Sequence, residues 1–275
     1  NETIKIDEIM NIGPLKEYQK KPVEEVENHV SKDPTVSVVI ITYQHAAFIS
    51  QCIESILMQK TDFPIEILIG EDESEDGTRE ICLEYARKHP DRIRLFLNSR
   101  ENVIYVNNRP TGKFNHYYTL CQAKGEFIAL CEGDDYWTDE HKLQKQVDFL
   151  AKNEDFSMVH SNAVIVPENN PKSEMFLVKK DFNEKHQVIS FYESLMYSWT
   201  FTPSIVFRKS VLEQYDMNKY FKEKLIKDYF IENLLLFKGK GYYFKDPMVA
   251  YRVHEGGASY HRPDDHDSFE LRRLR

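Results

Sequence analysis

The run Phe127–Trp137, Phe-Ile-Ala-Leu-Cys-Glu-Gly-Asp-Asp-Tyr-Trp, leaves an apolar, strand-like stretch and meets three carboxylates within four positions: Glu132, Asp134 and Asp135. Like charges crowded at a strand end repel one another. A divalent cation among them relieves that cost, because hard cations take oxygen ligands and often bind phosphate through one or two carboxylates. Gly133 reads as room for a ligand to approach the backbone. An isolated Asp-Asp pair would be no more than an acidic turn. Its place at the carboxyl end of a strand, where open α/β sheets bind ligands, favours a site instead.

Three further groups of residues carry usable chemistry. Thr42-Tyr43 closes an apolar run and sets a hydroxyl and a flat ring at a sheet edge, where the ring could stack on a base or pack on the fold. Gly70-Glu71-Asp72-Glu73-Ser74-Glu75-Asp76-Gly77-Thr78 follows a second apolar run. One of its carboxylates could accept the imide hydrogen of uracil, while Ser74 or Asp76 caps the helix that follows. Downstream lie Lys227-Asp228 and Tyr251-Arg252-Val253-His254-Glu255-Gly256-Gly257. Asp228 opens an apolar helix, and His254 sits between a strand and two glycines, a setting for a ligand-facing imidazole.

The elements that must hold these groups alternate in type from Pro34 onward. Val36–Thr42 is a run of β-branched residues around Ser37, suited to a central strand covered on both faces. Phe48, Cys52, Ile53, Ile56 and Leu57 recur at helical spacing. Strands are expected at Ile65–Ile69, Arg92–Leu97 and Phe127–Cys131, with helices at Asp76–His89, Tyr117–Ala123 and around Leu143, Val147 and Leu150. This alternation predicts a largely parallel α/β sheet. Beyond Trp137 the pattern is less regular: strands at Val159–Val166 and Ser204–Phe207, a helix at Ile226–Phe237, and a closing strand pair, Tyr242–Phe244 and Met248–Val253, around Asp246-Pro247.

Bulk properties narrow the classes. The 275 residues are 41% hydrophobic and 13% aromatic, a globular composition. The 36 Lys and Arg against 45 Asp and Glu give a net charge of -9, which speaks against nucleic acid as a partner. Cys52, Cys82, Cys121 and Cys131 lie in or beside apolar runs without metal-finger spacing, and read as reduced, buried residues of an intracellular chain. No apolar stretch reaches the ~20 residues needed to cross a bilayer, and no signal-peptide pattern is present. With Asn1 first and Leu-Arg-Arg-Leu-Arg last, the native termini are expected outside this sequence.

Taken in order, Val-Ser-Val-Val-Ile-Ile-Thr-Tyr at 36–43, Glu-Asp-Glu-Ser-Glu-Asp-Gly-Thr at 71–78, Glu-Gly-Asp-Asp-Tyr-Trp at 132–137 and the downstream Lys-Asp and Tyr-Arg-x-His-x-Gly-Gly elements resemble the inverting, metal-dependent nucleotide-sugar glycosyltransferases of family 2. The resemblance spans residues 34–258. It implies the GT-A fold: a nucleotide-binding sheet of mostly parallel strands flanked by helices at 34–150, and a less regular acceptor-binding half at 151–258. Residues 1–33 would be an N-terminal arm or linker, and 259–275 a truncated tail.

The same resemblance assigns roles. Thr42 and Tyr43 would line the base pocket, and Asp72 would bind uracil. Lys113 and Asn115 stand where the family often has a basic-Asn pair near the nucleotide. Glu132, where the family more usually has Asp, would lie near ribose or the donor sugar. Asp134 would bind Mn2+ or Mg2+, and Asp135 would orient the donor sugar or a metal-bound water. His254 would reach the metal or diphosphate, and Asp228 would be the catalytic base. The implied partners are a nucleotide-sugar donor, UDP-sugar first, and a glycan or lipid-linked acceptor of bacterial surface-polysaccharide synthesis. Tyr197 and Trp199 are candidates for a sugar platform or for the core. Catalysis would be cytoplasmic, beside the membrane, with the basic ending available for peripheral contact with anionic lipid. The competing class is a non-catalytic nucleotide-sugar-binding module of a larger assembly. A nucleotidyltransferase would need a Gly-rich basic loop for a triphosphate, which is missing. Thr42-Tyr43-Gln44-His45 replaces the dinucleotide-binding turn, and Gly112-Lys113 lacks the spacing of a P-loop.

Overall fold

Val36–Thr42 and Ile65–Glu71 are buried at every position but Ile41, which is why both are mostly apolar rather than alternating. The computed structural model describes residues 15–106, 108–167, 176–177, 187–196, 201–215, 228–255 and 257. Tyr197, Trp199, Lys227, Gly256 and the tail at 259–275 lie outside the described residues.

In chain order the strands are β1 (Glu24–Glu25), β2 (Val36–Thr42), β3 (Ile65–Glu71), β4 (Ile93–Leu97), β5 (Ile104–Val106), β6 (Arg109–Thr111), β7 (Phe127–Glu132), β8 (Tyr136–Trp137), β9 (Phe156–Pro167), β10 (Phe176–Leu177), β11 (Val188–Ile189), β12 (Val206–Arg208) and β13 (Lys240–Val253). The helices are α1 (Leu15–Tyr18), α2 (Ile49–Leu57), α3 (Thr78–Lys88), α4 (Lys113–Cys121), α5 (Lys142–Lys152), α6 (Phe191–Met196), α7 (Lys209–Leu212) and α8 (Asp228–Lys238).

One sheet runs in the order β1-β4-β3-β2-β7-β12-β9-β13-β11, while β5 and β6 form a separate hairpin. β4, β3, β2 and β7 are parallel. β12 lies antiparallel between β7 and β9, and β13 is parallel to β9. The chain winds outward from β2 through β3 to β4, then returns to β7 on the other side of β2. That reversal opens a crevice beyond the carboxyl ends of β2 and β7, the place where open α/β sheets take their ligands.

Strand alternation sorts the core into two layers. Val36, Val38, Ile40, Ile67, Ile69, Ala129 and Cys131 pack with Ile53, Ile56, Cys82, Leu143 and Val147 of α2, α3 and α5. Val39, Leu68, Ile128 and Leu130 pack with Phe114 and Leu120 of α4 and Ile231 and Leu235 of α8. All four cysteines are free and buried. At the amino ends of the strands, away from the crevice, Glu66 accepts from Ser37 Oγ at 2.6 Å and from Arg94 Nη1 at 3.1 Å. Arg94 also donates to Glu25 at 2.8 Å. Residues 15–33, expected as an arm or linker, are thereby tied in: β1 adds an antiparallel edge to β4.

Two expectations are corrected. The closing strand pair around Asp246-Pro247 is one continuous strand, β13, with register shifts between Phe244 and Pro247 and between Pro247 and Val249. Proline has no N–H for a ladder, so the strand bulges there instead of turning. The helix expected at Tyr117–Ala123 starts a turn earlier, at Lys113, and ends at Cys121.

Candidate metal and nucleotide site

The segment after β2 is shaped by the loop after β3. Gln44, with φ 57°, donates its N–H to Ser74 Oγ at 2.9 Å. His45 N–H reaches Thr78 Oγ1 at 2.8 Å, and Ala46 N–H reaches Asp76 Oδ2 at 2.9 Å. Ser74 therefore holds the neighbouring loop, where a helix-capping role was expected, while Asp76 does both, its Oδ1 accepting the Thr78 N–H at the start of α3 at 3.0 Å. The N-cap position of α3 is Gly77, with φ 101° and no side-chain cap bond.

Held this way, the His45 ring faces the acidic turn at the end of β7. Its Nδ1 lies 3.3 Å from Thr42 Oγ1, and its Nε2 lies 3.8 Å from Asp134 Oδ2. From the far end of the chain, β13 delivers His254, whose Nε2 lies 3.0 Å from the same Asp134 oxygen. The His254 ring packs on Phe48, with centroids 4.6 Å apart. One ligating atom from each of His45, Asp134 and His254 lies within 4.8 Å of the other two. Donor atoms about 2.0–2.2 Å from a common ion sit roughly 3–4 Å apart, so this set fits a divalent cation. Burial works to raise the Asp134 pKa, but the His254 hydrogen bond and the field of His45 hold it below the usual carboxylate value. Burial pushes His45 downward against the attraction of Asp134, which favours the neutral imidazole a metal needs.

Gly133, expected to leave room at the backbone, makes this packing possible. A Cβ there would lie 2.6 Å from Thr42 Oγ1 and 2.9 Å from His45 Nδ1. Asp135 turns inward. It is buried, and its Oδ1 accepts the Arg252 N–H at 2.8 Å. Burial, with the negative charge of Asp134 beside it, drives its pKa well up. The Arg252 guanidinium donates to the Asp134 carbonyl oxygen and to Gln51 Oε1, and lies 4.5 Å from the Tyr136 ring centroid. Glu132 ends β7 half-buried.

Along the rim, Tyr43 and Asp72 are joined by a residue that sequence reading missed. The Arg100 guanidinium lies 4.1 Å from the Tyr43 ring centroid, and its Nη1 donates to Asp72 Oδ2 at 2.6 Å. Asp72 is buried, and its pKa is raised by that burial in spite of Arg100. Thr42 is buried beneath His45. Asn115 lies under the sheet end: its Nδ2 donates to the Gly70 carbonyl at 2.8 Å, and its Oδ1 accepts from Asn98 at 2.8 Å. It supports the end of β3 from within. Lys113 is the first residue of α4, and Asp228 the first of α8.

His45 and Arg100 are the residues sequence reading did not single out. The available signals were position alone: each follows the carboxyl end of a parallel strand within three residues.

The strand order and the crevice define a GT-A type α/β domain. Residues 37–216 match the family model described as glycosyl transferase family 2, more than half of the chain, and the protein belongs to that family. A Campylobacter jejuni relative named GalNAc(5)-diNAcBac-PP-undecaprenol beta-1,3-glucosyltransferase is 30% identical over 227 residues, 80% of this chain and 65% of that one. Among solved structures, Staphylococcus aureus TarS in complex with UDP-GlcNAc superimposes with a TM-score of 0.59 at 18% identity, covering 84% of this chain and 63% of that one. A mannosyltransferase of Pyrobaculum calidifontis in complex with GDP-Man and Mn2+ gives 0.55 at 18% identity, covering 89% and 64%. At these identities the structures establish the fold. The chain spans as little as 38% of the length of the curated relatives it matches.

Proposed function

We propose that this protein is a metal-dependent, inverting glycosyltransferase that moves a sugar from a nucleoside-diphosphate sugar, UDP-sugar first, to a hydroxyl of a glycan or lipid-linked acceptor. The observation that carries the reading is the juxtaposition, at one end of the parallel strands, of the Asp134–His254 pair with the Tyr43–Arg100–Asp72 cluster. One fits a cation and diphosphate, the other a base. The Campylobacter relative's name supports a lipid-linked acceptor, and the TarS complex supports a UDP-sugar donor. Bacterial surface-polysaccharide synthesis, at the cytoplasmic face of the membrane, is the setting this reading implies. Among the described residues no helix is long and apolar enough to cross a membrane.

In this mechanism Tyr43 offers its ring face to the base, and Asp72 accepts the uracil imide hydrogen. Arg100, between them, shifts off the ring toward the negative diphosphate. Asp134 and His254 hold Mn2+ or Mg2+, which when bound supplies Lewis-acid stabilisation of the departing nucleoside diphosphate. Asp228, at the start of α8, takes the proton from the acceptor hydroxyl as its oxygen attacks the anomeric carbon. A single displacement inverts that carbon, so an α-linked donor yields a β-linkage. Lys113 and Glu132 keep supporting roles around the donor, while Asp135, expected to orient it, instead fastens the acidic turn to the Arg252 backbone.

Thermal stabilisation by UDP-, GDP- and dTDP-sugars in the presence of Mn2+ identifies the donor, since a ligand of the native state raises apparent stability. Asp134→Ala is expected to abolish the metal-dependent part of that stabilisation. Asp228→Asn is expected to keep donor binding while turnover falls on the order of 10²–10⁴-fold. Full turnover by Asp228→Asn removes the base assignment, and absence of any nucleotide-sugar binding by the wild type removes the whole reading.

A further inference from the structure

We propose that His45 is a direct ligand of the cation, so that the site is a two-histidine, one-carboxylate centre selecting first-row transition cations such as Mn2+, Co2+ and Zn2+ over Mg2+. This rests on the reading that the Asp134 pocket holds a metal, and goes beyond it by naming the third ligand and the class of ion. Three independent features aim the ring. The backbone on either side of His45 is pinned to the β3–α3 loop through Ser74, Thr78 and Asp76, at 2.8 to 2.9 Å. Its Nδ1 faces the Thr42 hydroxyl at 3.3 Å, which leaves Nε2 to face Asp134 at 3.8 Å. Such a partner on the distal nitrogen fixes the tautomer and orientation of metal-binding histidines. The ring also fills the space over Gly133 that a side chain would occupy. His254 is held with similar care. It is buried between Phe48 and Gly257, where a Cβ would come within 3.1 Å of its Nε2.

The donor set then decides the ion. Mg2+ is served by oxygen ligands in a near-ideal octahedron and keeps most of its waters. Two imidazoles and one carboxylate suit transition cations with open positions, whose affinity rises from Mn2+ through Co2+. Two neighbouring carboxylates that could add oxygens for magnesium are committed elsewhere: Asp135 to the Arg252 backbone, and Asp76 to Ala46 and Thr78.

The test is a Co2+ titration of the whole chain, followed by visible absorption without sugar nucleotide, with Mn2+ and Mg2+ measured by competition. The wild type is expected to bind Co2+ at least tenfold more tightly than Mg2+. His45→Ala should weaken Co2+ by no less than the roughly 10–100-fold that loss of an outer partner costs, change the Co2+ spectrum, and leave Mg2+ unchanged. Thr42→Val, of the same shape, should weaken Co2+ by a smaller factor, and it keeps the test open if the alanine variant fails to fold. An unaltered Co2+ spectrum and affinity in both variants, or equal affinity of the wild type for Mg2+ and Co2+, overturns the proposal. If His45→Ala binds Co2+ as the wild type does and still turns over donor, only the His45 assignment falls. If the wild type binds Co2+ through His45 but turns over no sugar nucleotide, the transferase reading falls and this centre stands.

Discussion

Arg100 joins two residues that sequence alone brought to the base pocket but could not connect. It stacks on Tyr43 at 4.1 Å and pairs with the buried Asp72 at 2.6 Å. Arg100→Ala would leave a buried carboxylate with its desolvation unrelieved, at a cost of about 1–3 kcal/mol, and would uncover the Tyr43 ring. Denaturant unfolding should register the first effect. UDP titration should register weaker binding, since the base and diphosphate lose their cationic neighbour; affinity equal to that of the wild type would place the nucleotide elsewhere. Asp72 and Asp134 could be singled out because each follows the carboxyl end of a strand rich in apolar residues, and His254 because it stands between the strand expected at Met248–Val253 and two glycines. His45 and Arg100 were not, because what recruits them is the β3–α3 loop: the residues after β2 take their shape from Ser74, Asp76 and Thr78, some thirty positions away, and Glu73 accepts the Arg100 N–H. Asn115 was legible as important, yet its bonds to Gly70 and Asn98 place its work beneath the sheet.

At the level of elements, the site depends on how closely the ends of β2 and β7 approach. Gly133 sets that distance, since a Cβ would fall 2.6 Å from Thr42 Oγ1 and 2.9 Å from His45 Nδ1. Gly133→Ala should therefore cost about 1–3 kcal/mol through overpacking and displace the His45 ring, lowering cation affinity more than nucleotide affinity. Parallel calorimetric titrations with Mn2+ and with UDP separate the two; equal losses would mean a general distortion. The central strands could be read from sequence because burial on both faces leaves them dominated by apolar residues, with Ser37 and Glu66 satisfying each other at the far end. β13 could not, because Asp246-Pro247 carries the composition of a turn, and only pairing with β9 across the bulge keeps the chain straight. The β5–β6 hairpin escaped because three-residue strands carry too little pattern to stand out.

At the scale of the whole molecule, stability is tied to pH through a buried amine. Lys142 is completely buried, and its Nζ lies 4.1 Å from the Trp137 ring centroid with no hydrogen-bond partner among the described residues. Burial lowers its pKa from 10.5 to about 7. Between those values the unfolded chain binds the extra proton, so this residue's contribution makes stability rise with pH from about 7 toward 10.5 and level off below 7. That displacement corresponds to a ceiling on the order of 5 kcal/mol at neutral pH. Lys142→Met, with a thioether suited to the aromatic wall, should raise the unfolding free energy at pH 7, with a gain that shrinks as the pH climbs. The difference between variant and wild type cancels the background self-repulsion of a chain carrying -9 charges. An unchanged or lower stability at pH 7 would mean that the amine is solvated in a way its burial does not suggest.

The position of β13 carries one more consequence. The family's shared signature stops at residue 216, whereas Lys240–Val253 fills the gap between β9 and β11 and ends beside His254. A fragment trimmed to that signature would retain Asp134 while amputating its imidazole partner and the arginine that fastens the acidic turn. It would also leave one side of β9 as an open seam, inviting association between copies. Such a cut is expected to weaken cation binding and lower solubility together, so a working fragment has to include this late ribbon beyond the limit of the family model.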